Sequence, residues 1–202
     1  MARTAVIPCN LKAIALPERI ERKVVNVPDS KATLAKALEG LMAEKPLDDI
    51  RIMEISGRAG VSKQTFYHHF ADKYALMEYC ARELFANPLA TIGSIEPYSR
   101  GCRAYYEACH VHRKFMRNAF QSKDVNGLFR VMHHLLRDAY GKRVEAHGVT
   151  VDAEVGFALD FYSKGVAGCT RRWFDQGMDF SDEAMIRLVA DCVPTSVANL
   201  FE

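Results

Sequence analysis

Residues 55–70 carry the strongest local signal in the chain and read Ile55-Ser56-Gly57-Arg58-Ala59-Gly60-Val61-Ser62-Lys63-Gln64-Thr65-Phe66-Tyr67-His68-His69-Phe70. Gly60 follows an apolar helical segment, at the position where a helix C-terminus needs a residue that tolerates positive φ. Ser62 then offers a side-chain oxygen as the N-cap of a second helix. The segment therefore predicts a short helix, a glycine turn and a second helix, which together form a helix-turn-helix.

The predicted second helix presents two chemically different faces. Its apolar anchors are Phe66 and Phe70, whereas Lys63, Gln64 and Tyr67 lie at i, i+1 and i+4 on the exposed face of its first turn. Lysine can donate to guanine O6 and N7, and glutamine can pair bidentately with adenine. We therefore expect the anchors to hold the helix to its domain and the polar face to enter a groove of DNA.

Composition and charge limit where else nucleic acid could bind. The chain has 202 residues, of which 49% are hydrophobic, and a net charge of only +2. Any basic surface for nucleic acid must therefore be local. The clearest excess lies in residues 1–28, where Arg3, Lys12, Arg19, Arg22 and Lys23 stand against Glu18 and Glu21. This segment is predicted either as a partly ordered tail or as a basic arm that reaches DNA through Arg19, Arg22 and Lys23.

Apolar periodicity predicts helices on both sides of the motif. One helix is expected to start with a Ser30 cap, a second to run from about Arg51 to Ala59, and another to start at the N-cap Asp72 and close at Asn87-Pro88. The later helices are expected over 98–121 with a break near 110–113, over 124–145, over 152–175, and from a Ser181 cap to Pro194. No sustained period-2 segment occurs, so the predicted fold class is all-α.

Residues 30–85 resemble the signature of the tetracycline-repressor-like (TetR) family. The Ala-Gly-Val-Ser turn, the Thr-Phe-Tyr-His-His-Phe helix end and the capped Asp-Lys occur together. The resemblance implies an N-terminal three-helix helix-turn-helix head joined to a C-terminal helical bundle that dimerises. The domains expected on this basis are a basic tail at 1–28, a DNA-binding domain at 29–87 with its motif at about 51–70, and a ligand-sensing and dimerisation domain at 88–202. Residues 157–190 also resemble the C-terminal region of dihydroxyacetone-kinase operon regulators.

The resemblance also implies which residues contact double-stranded DNA. They are Arg51, Lys63, Gln64, Thr65, Tyr67, His68 and Lys73. Lys63, Gln64 and Tyr67 occupy positions that reach base edges, and Thr65, His68 and Lys73 occupy phosphate-contacting positions. Arg51 stands where a small hydroxyl residue is commoner. A homodimer would bind a palindromic operator, and the residues expected at the dimer interface are Val189, Val193 and Leu200.

The C-terminal domain is expected to sense a small-molecule effector, whose identity the sequence does not specify. Residues that could line a pocket between its helices are Tyr105, Cys109, Phe115, Met116, Phe129, Met132, Phe161 and Trp173. Cys102, Cys109 and His112 also allow a hypothesis of thiolate and imidazole ligands for a metal. Buried cysteines beside a helix break are the favoured interpretation, so no metal or other cofactor is expected.

A sequence-specific transcriptional regulator, specifically a repressor that a small ligand releases from DNA, is the leading hypothesis. The alternative is a regulator or co-activator that acts through a protein partner. The chain contains no G-x-S-x-G, H-E-x-x-H, Walker or dinucleotide motif, so no enzyme activity is expected. It has no recognisable secretion signal and no membrane-length apolar run, which predicts a cytoplasmic protein without membrane association.

Overall fold

A computed structural model describes residues 29–125 and 127–202, and the regular structure in this range is helical throughout, which confirms the predicted fold class. The α-helices are α1 Ser30–Met42, α2 Ile52–Ala59, α3 Lys63–His69, α4 Lys73–Ile92, α5 Tyr98–Val111, α6 Arg113–Phe120, α7 Leu128–Ala146, α8 Ala153–Asp175 and α9 Asp182–Ala190. Short 3-10 helices occupy Leu47–Asp49 and Ala198–Leu200. The predicted basic arm with Arg19, Arg22 and Lys23 lies outside the described residues.

Side-chain caps fix the starts of α1, α4, α8 and α9. As predicted, the Asp72 carboxylate and the Ser181 hydroxyl accept hydrogen bonds from first-turn N–H groups of α4 and α9, and the Asp152 carboxylate does the same for α8. In α1 the cap is Asp29 rather than Ser30, because the Asp29 carboxylate accepts from the first turn and Ser30 is already helical. Each cap satisfies an N–H group that has no partner within its helix.

The helix α4 is longer than predicted and connects the two halves of the molecule. It was expected to close at Asn87-Pro88, but it continues to Ile92 with Pro88 in its interior. An interior proline removes one backbone hydrogen bond. Pro88 is nevertheless buried together with Phe85 and Leu89, so its packing offsets that loss. The expected domain boundary at 87/88 therefore falls inside a helix that packs against α1, α5 and α7.

Among the remaining helix boundaries, the break between α5 and α6 agrees with the sequence prediction, and the start of α7 and the end of α9 differ from it. The break near 110–113 is present, because α5 ends at Val111 and α6 begins at Arg113. In contrast, α7 begins at Leu128 instead of Asp124, since Gly127 is its N-cap. The last helix, α9, ends at Ala190, before Pro194.

A buried arginine holds the C-terminal segment to the bundle. The Arg143 guanidinium donates through Nη1 to the carbonyl oxygens of Ser94 and Glu96, at 2.7 and 2.8 Å, and through Nε to that of Leu200. Its cation also lies over the rings of Tyr98 and Phe201. Buried charge needs such partners, and here they fix the end of α4, the start of α5 and residues near 200 against one another.

None of the helices in the described ranges has the length and apolar character needed to cross a membrane.

Gly101 allows α5 to cross the end of α4 at close range. A Cβ at this position would lie 2.7 Å from Ile92 Cγ1 and 2.8 Å from the Ile92 backbone nitrogen. We expect Gly101→Ala to lower the free energy of unfolding by about 1–3 kcal/mol, because the helices would have to move apart. Urea unfolding followed by circular dichroism measures this change.

The matched control is Gly57→Ala in α2, where an added Cβ would contact no described atom within 4 Å. This variant should be neutral or more stable by up to about 1 kcal/mol, because alanine favours the helix. Equal effects of the two substitutions would contradict the close crossing.

Candidate nucleic-acid interface

The turn between α2 and α3 is set by one glycine and one serine. Gly60 adopts φ 68° and ψ 26°, a left-handed conformation that L-residues with a Cβ rarely adopt. The Val61 N–H closes the turn by donating to the Ser56 carbonyl at 3.0 Å. Ser62 Oγ then accepts from the Thr65 N–H at 3.0 Å and caps α3. This turn therefore fixes the angle at which α3 leaves α2.

The helix α3 is held to its domain by two phenylalanines. Phe66 is fully buried and Phe70 nearly so. Their ring centroids lie 6.1 Å apart, and the Phe70 centroid lies 5.5 Å from that of Tyr79 on α4. An isolated helix of this length is unstable in water, so the apolar contacts keep it in place.

The other face of α3 points to solvent. Lys63, Gln64, Tyr67 and His68 are exposed, and the Tyr67 side chain is 49% exposed. The Lys63 ammonium lies 5.6 Å from the centroid of the Tyr67 ring, which places a cation and a hydrogen-bonding aromatic side by side at the start of the helix. A donor-rich face on a rigidly anchored helix has the chemistry required to contact base edges in a major groove.

A shallow cleft of about 420 Å³ lies beside this face and brings together residues from three helices. Arg51, Lys63, Tyr67 and Lys73, four of the residues predicted to contact DNA, line it. Met53 also lines the cleft and is 72% exposed. Sequence reasoning missed Met53, although the signal was present. It is an apolar residue outside the inward stripe of α2.

Two of the predicted phosphate contacts have partners inside the protein. The Thr65 hydroxyl lies 2.8 Å from Ser62 Oγ and belongs to the cap of α3. Lys73 Nζ donates to the carbonyl oxygens of Leu47, Asp48 and Ile50, at 2.8, 2.8 and 3.0 Å. These bonds use all three N–H donors of the ammonium. Lys73 therefore holds the turn before α2, and its contact with phosphate stays a prediction.

The second half of the molecule carries an apolar groove of about 460 Å³ between α8 and α9. Phe161 and Trp173, both predicted as pocket residues, line it, and Phe161 is 72% exposed. Leu188, on α9, is 44% exposed in the same groove. A contiguous exposed apolar surface of this kind is typical of an interaction site.

The residues predicted at the dimer interface have their side chains largely inside the chain. Val189 and Leu200 are buried, and Val193 is half-buried. Leu200 lies in the segment that Arg143 holds to the bundle. The exposed apolar residues of this region are instead Phe157, Phe161, Phe180 and Leu188. Phe157 and Phe161 form a second apolar stripe on α8, separate from its buried stripe.

The remaining predicted pocket residues do not line a common space with Phe161. Tyr105, Cys109, Phe115, Met116 and Met132 are buried in the core. Phe129 lines a different cavity, of about 410 Å³, beside the turn between α6 and α7. Phe115 also lines a third cavity, of about 270 Å³, beside the α5–α6 break. The predicted pocket residues are therefore distributed over the core, these two cavities and the α8–α9 groove.

The cysteines near the α5–α6 break are neutral thiols. Burial raises the pKa of Cys102 to about 11, and burial raises the pKa of Cys109 further. Across residues 29–125 and 127–202, no group of three His, Cys, Asp or Glu side chains is arranged to hold a metal ion.

Two known protein families match the chain. Residues 33–80 match the family described as "Bacterial regulatory proteins, tetR family", and residues 98–194 match "Transcriptional regulator C-terminal region". No curated protein matches the chain in sequence.

Several solved structures have a similar fold. DhaS, a dihydroxyacetone kinase operon activator, is 16% identical with a TM-score of 0.59, over 86% of this chain and 98% of that one. A tetR-family transcriptional regulator from Streptomyces coelicolor is 20% identical with a TM-score of 0.55, over 80% and 79% of the two chains. FadR from Bacillus subtilis, in complex with stearoyl-CoA, is 11% identical with a TM-score of 0.53, over 81% and 97%. At these identities the similarity establishes the fold alone.

The internal role of Lys73 can be tested by stability. We expect Lys73→Met to lower the free energy of unfolding by about 1–3 kcal/mol, because three carbonyl oxygens lose a charged donor. Lys36→Met, which changes an exposed lysine on α1, is the control and should stay within about 0.5 kcal/mol of the unmodified protein. Thermal unfolding measures both, and an unchanged Lys73→Met variant would argue against the internal role.

Proposed function

Because the chain belongs to the tetR family of bacterial regulatory proteins, which are DNA-binding transcriptional regulators, we propose that it binds a palindromic operator as a homodimer and leaves it when a small molecule binds. The observation that carries the proposal is the two-faced helix α3. Its apolar side is fixed by Phe66 and Phe70, while Lys63, Gln64 and Tyr67 are exposed on its other side. These proteins act as transcription factors and not as enzymes.

Within this proposal each exposed residue has a defined role. Lys63, Gln64 and Tyr67 contact base edges, since they lie on the turn of α3 that enters the groove first. His68 contacts phosphate, and Arg51 adds a cation at the edge of the same cleft. Thr65 and Lys73 act indirectly, because their polar groups hold the cap of α3 and the turn before α2.

The dimer is proposed to form through α8 and α9. The groove between these helices is apolar, and Phe161 and Leu188 leave much of their surface in solvent. A twofold interface is self-complementary, so the same exposed residues of both copies would cover one another. Such an arrangement presents two α3 helices on one side of the molecule, as a palindromic site requires.

The response to a small molecule is proposed for the interior of the C-terminal helices. The hydroxyls of Tyr105, Tyr106 and Thr170 are buried together there, with Thr170 facing both tyrosines. Their mutual contacts fall short of full hydrogen-bond geometry, and a ligand with polar groups would supply better partners. Release then requires only that the ligand bind better to the conformation whose recognition helices misfit the operator. The alternative regulator, which acts through a protein partner, would show no change of operator affinity with any small molecule.

If α3 contacts base edges, replacing Lys63 or Tyr67 should reduce the protein's preference for its operator over random DNA. Lys63→Ala and Tyr67→Ala should each weaken binding to the selected operator about tenfold or more, while binding to random DNA changes much less. Fluorescence anisotropy with operators selected from the upstream DNA of the protein's own gene measures both affinities.

The control for this experiment is Lys142→Ala, which removes an exposed lysine from α7. It should leave both affinities within about twofold, since α7 carries none of the residues proposed to contact DNA. If the unmodified protein binds random DNA as tightly as any selected sequence at moderate salt, the proposed function is wrong.

The α8–α9 dimer predicts that a charge at Phe161 prevents association. Phe161→Glu should raise the dimer dissociation constant at least about tenfold, because the interface would bury a carboxylate without a partner. Ile95→Glu changes a comparably exposed apolar residue away from the groove and should remain dimeric. Size-exclusion chromatography coupled to light scattering measures the oligomeric state of both variants. If Phe161→Glu remains dimeric, the interface does not involve Phe161 and lies elsewhere.

A further inference from the structure

The 3-10 turn at Leu47–Asp49 is held from inside the N-terminal head. In addition to the Lys73 ammonium that donates to three carbonyl oxygens of this region, the Tyr74 hydroxyl donates to Asp48 Oδ1 at 3.2 Å. Both donors come from the first turn of α4. The turn directly precedes α2 and thereby the whole helix-turn-helix motif.

The same turn is also held from the C-terminal bundle. Ser122 Oγ donates to Asp48 Oδ1 at 2.6 Å, and the Lys123 N–H donates to Asp48 Oδ2 at 3.1 Å. Hydrogen bonds to a carboxylate are stronger than those between neutral groups. Burial raises the pKa of Asp48, but the donors from Ser122, Lys123 and Tyr74 outweigh it and hold this pKa below its usual value. The carboxylate is therefore ionised at neutral pH and binds both halves of the molecule.

A second polar contact joins the halves one turn away. Asn118 Nδ2, on α6, donates to the carbonyl oxygen of Met42 at 2.6 Å. Met42 is the last residue of α1, and carbonyl groups at a helix C-terminus have no partner within the helix. The end of α6 and the turn after it thus contact the head at the end of α1 and at the start of the motif.

We propose that Asp48, Ser122 and Asn118 are positioning residues that set the distance between the two recognition helices of the dimer. This inference rests on the proposed function, since it concerns how the operator is fitted. Only a few contacts separate the proposed dimer interface from the helix-turn-helix motif. The helix α6 packs on α8 and α7, α8 carries the exposed stripe of the proposed dimer interface, and Asp48 connects α6's end to the motif. A shift of α6 relative to α8 would therefore move α2 and α3.

The amides of the turn provide a test that needs no DNA. Ser122→Ala removes the shorter of the two hydrogen bonds from the bundle to Asp48, keeps the Lys123 N–H, and leaves every residue of the head unchanged. In this variant, hydrogen exchange of the amides at 49–50 and in the first turn of α2 should be at least about fivefold faster. Ser122→Thr keeps a hydroxyl and should restore the slow exchange. Thr91→Ala, which removes a hydroxyl that bonds only within α4, should not change it.

The operator provides the second test. On a series of palindromes whose half-sites are moved apart one base pair at a time, the unmodified protein should prefer one spacing. Ser122→Ala and Asp48→Ala should bind the best spacing about five- to tenfold more weakly and tolerate neighbouring spacings better. Their affinity for a single half-site should stay within about twofold, because the α3 contacts are intact.

Each outcome has a distinct meaning. Unchanged exchange in Ser122→Ala, or an unchanged spacing profile, would overturn the positioning role. Equal losses on half-sites and full sites would also overturn it, since these indicate general damage to the head. If the unmodified protein has no sequence preference, the proposed function fails, and the exchange experiment still decides whether Ser122 holds the turn.

Discussion

The burial of two phenylalanine rings is the constraint on which the molecule's chemistry depends. The helix α3 has seven residues, and a helix of that length does not persist alone in water. Phe66 and Phe70 fix it through contacts with the rest of the head, while Gly60 and Ser62 fix the angle at which it begins. The exposed side chains therefore project from a fixed backbone, so little backbone conformational entropy is lost when they bind.

Local signals predicted the head well. Glycine at the left-handed turn, the caps at Ser62 and Asp72 and the inward phenylalanines act within a few residues, so the chain itself contains them. Tertiary contacts explain where the structure departs from these local signals. Pro88 stays helical because its neighbours bury it. The amine of Lys73 turns inward because three carbonyl oxygens, distant in sequence, converge on it.

The C-terminal half was less predictable for a related reason. Its helices carry apolar residues on more than one face, and sequence periodicity does not state which face meets the chain's own core. Phe161, expected in a pocket, lines the α8–α9 groove and is largely exposed, whereas Val189 and Leu200, expected at the dimer interface, are buried within the chain. The position of Leu200 depends on the buried Arg143, whose carbonyl partners are distributed over two remote segments. No local pattern could have indicated this arrangement.

The separation of the two faces of α3 also bears on how such a protein changes over time. Substitutions at Lys63 or Gln64 alter what the helix presents outward without changing the ring contacts of Phe66 and Phe70 beneath it, whereas the Tyr67 ring lies edge-on to that of Phe66, with 5.5 Å between their centroids. Exposed substitutions usually change stability little, so stability and the proposed choice of DNA sequence can vary almost independently at Lys63 and Gln64. A gene duplicate could acquire a new target sequence through a few exposed positions while the fold stays intact. Under the proposed role of α3, the same property makes this helix a practical starting point for redirecting the protein to a chosen DNA sequence.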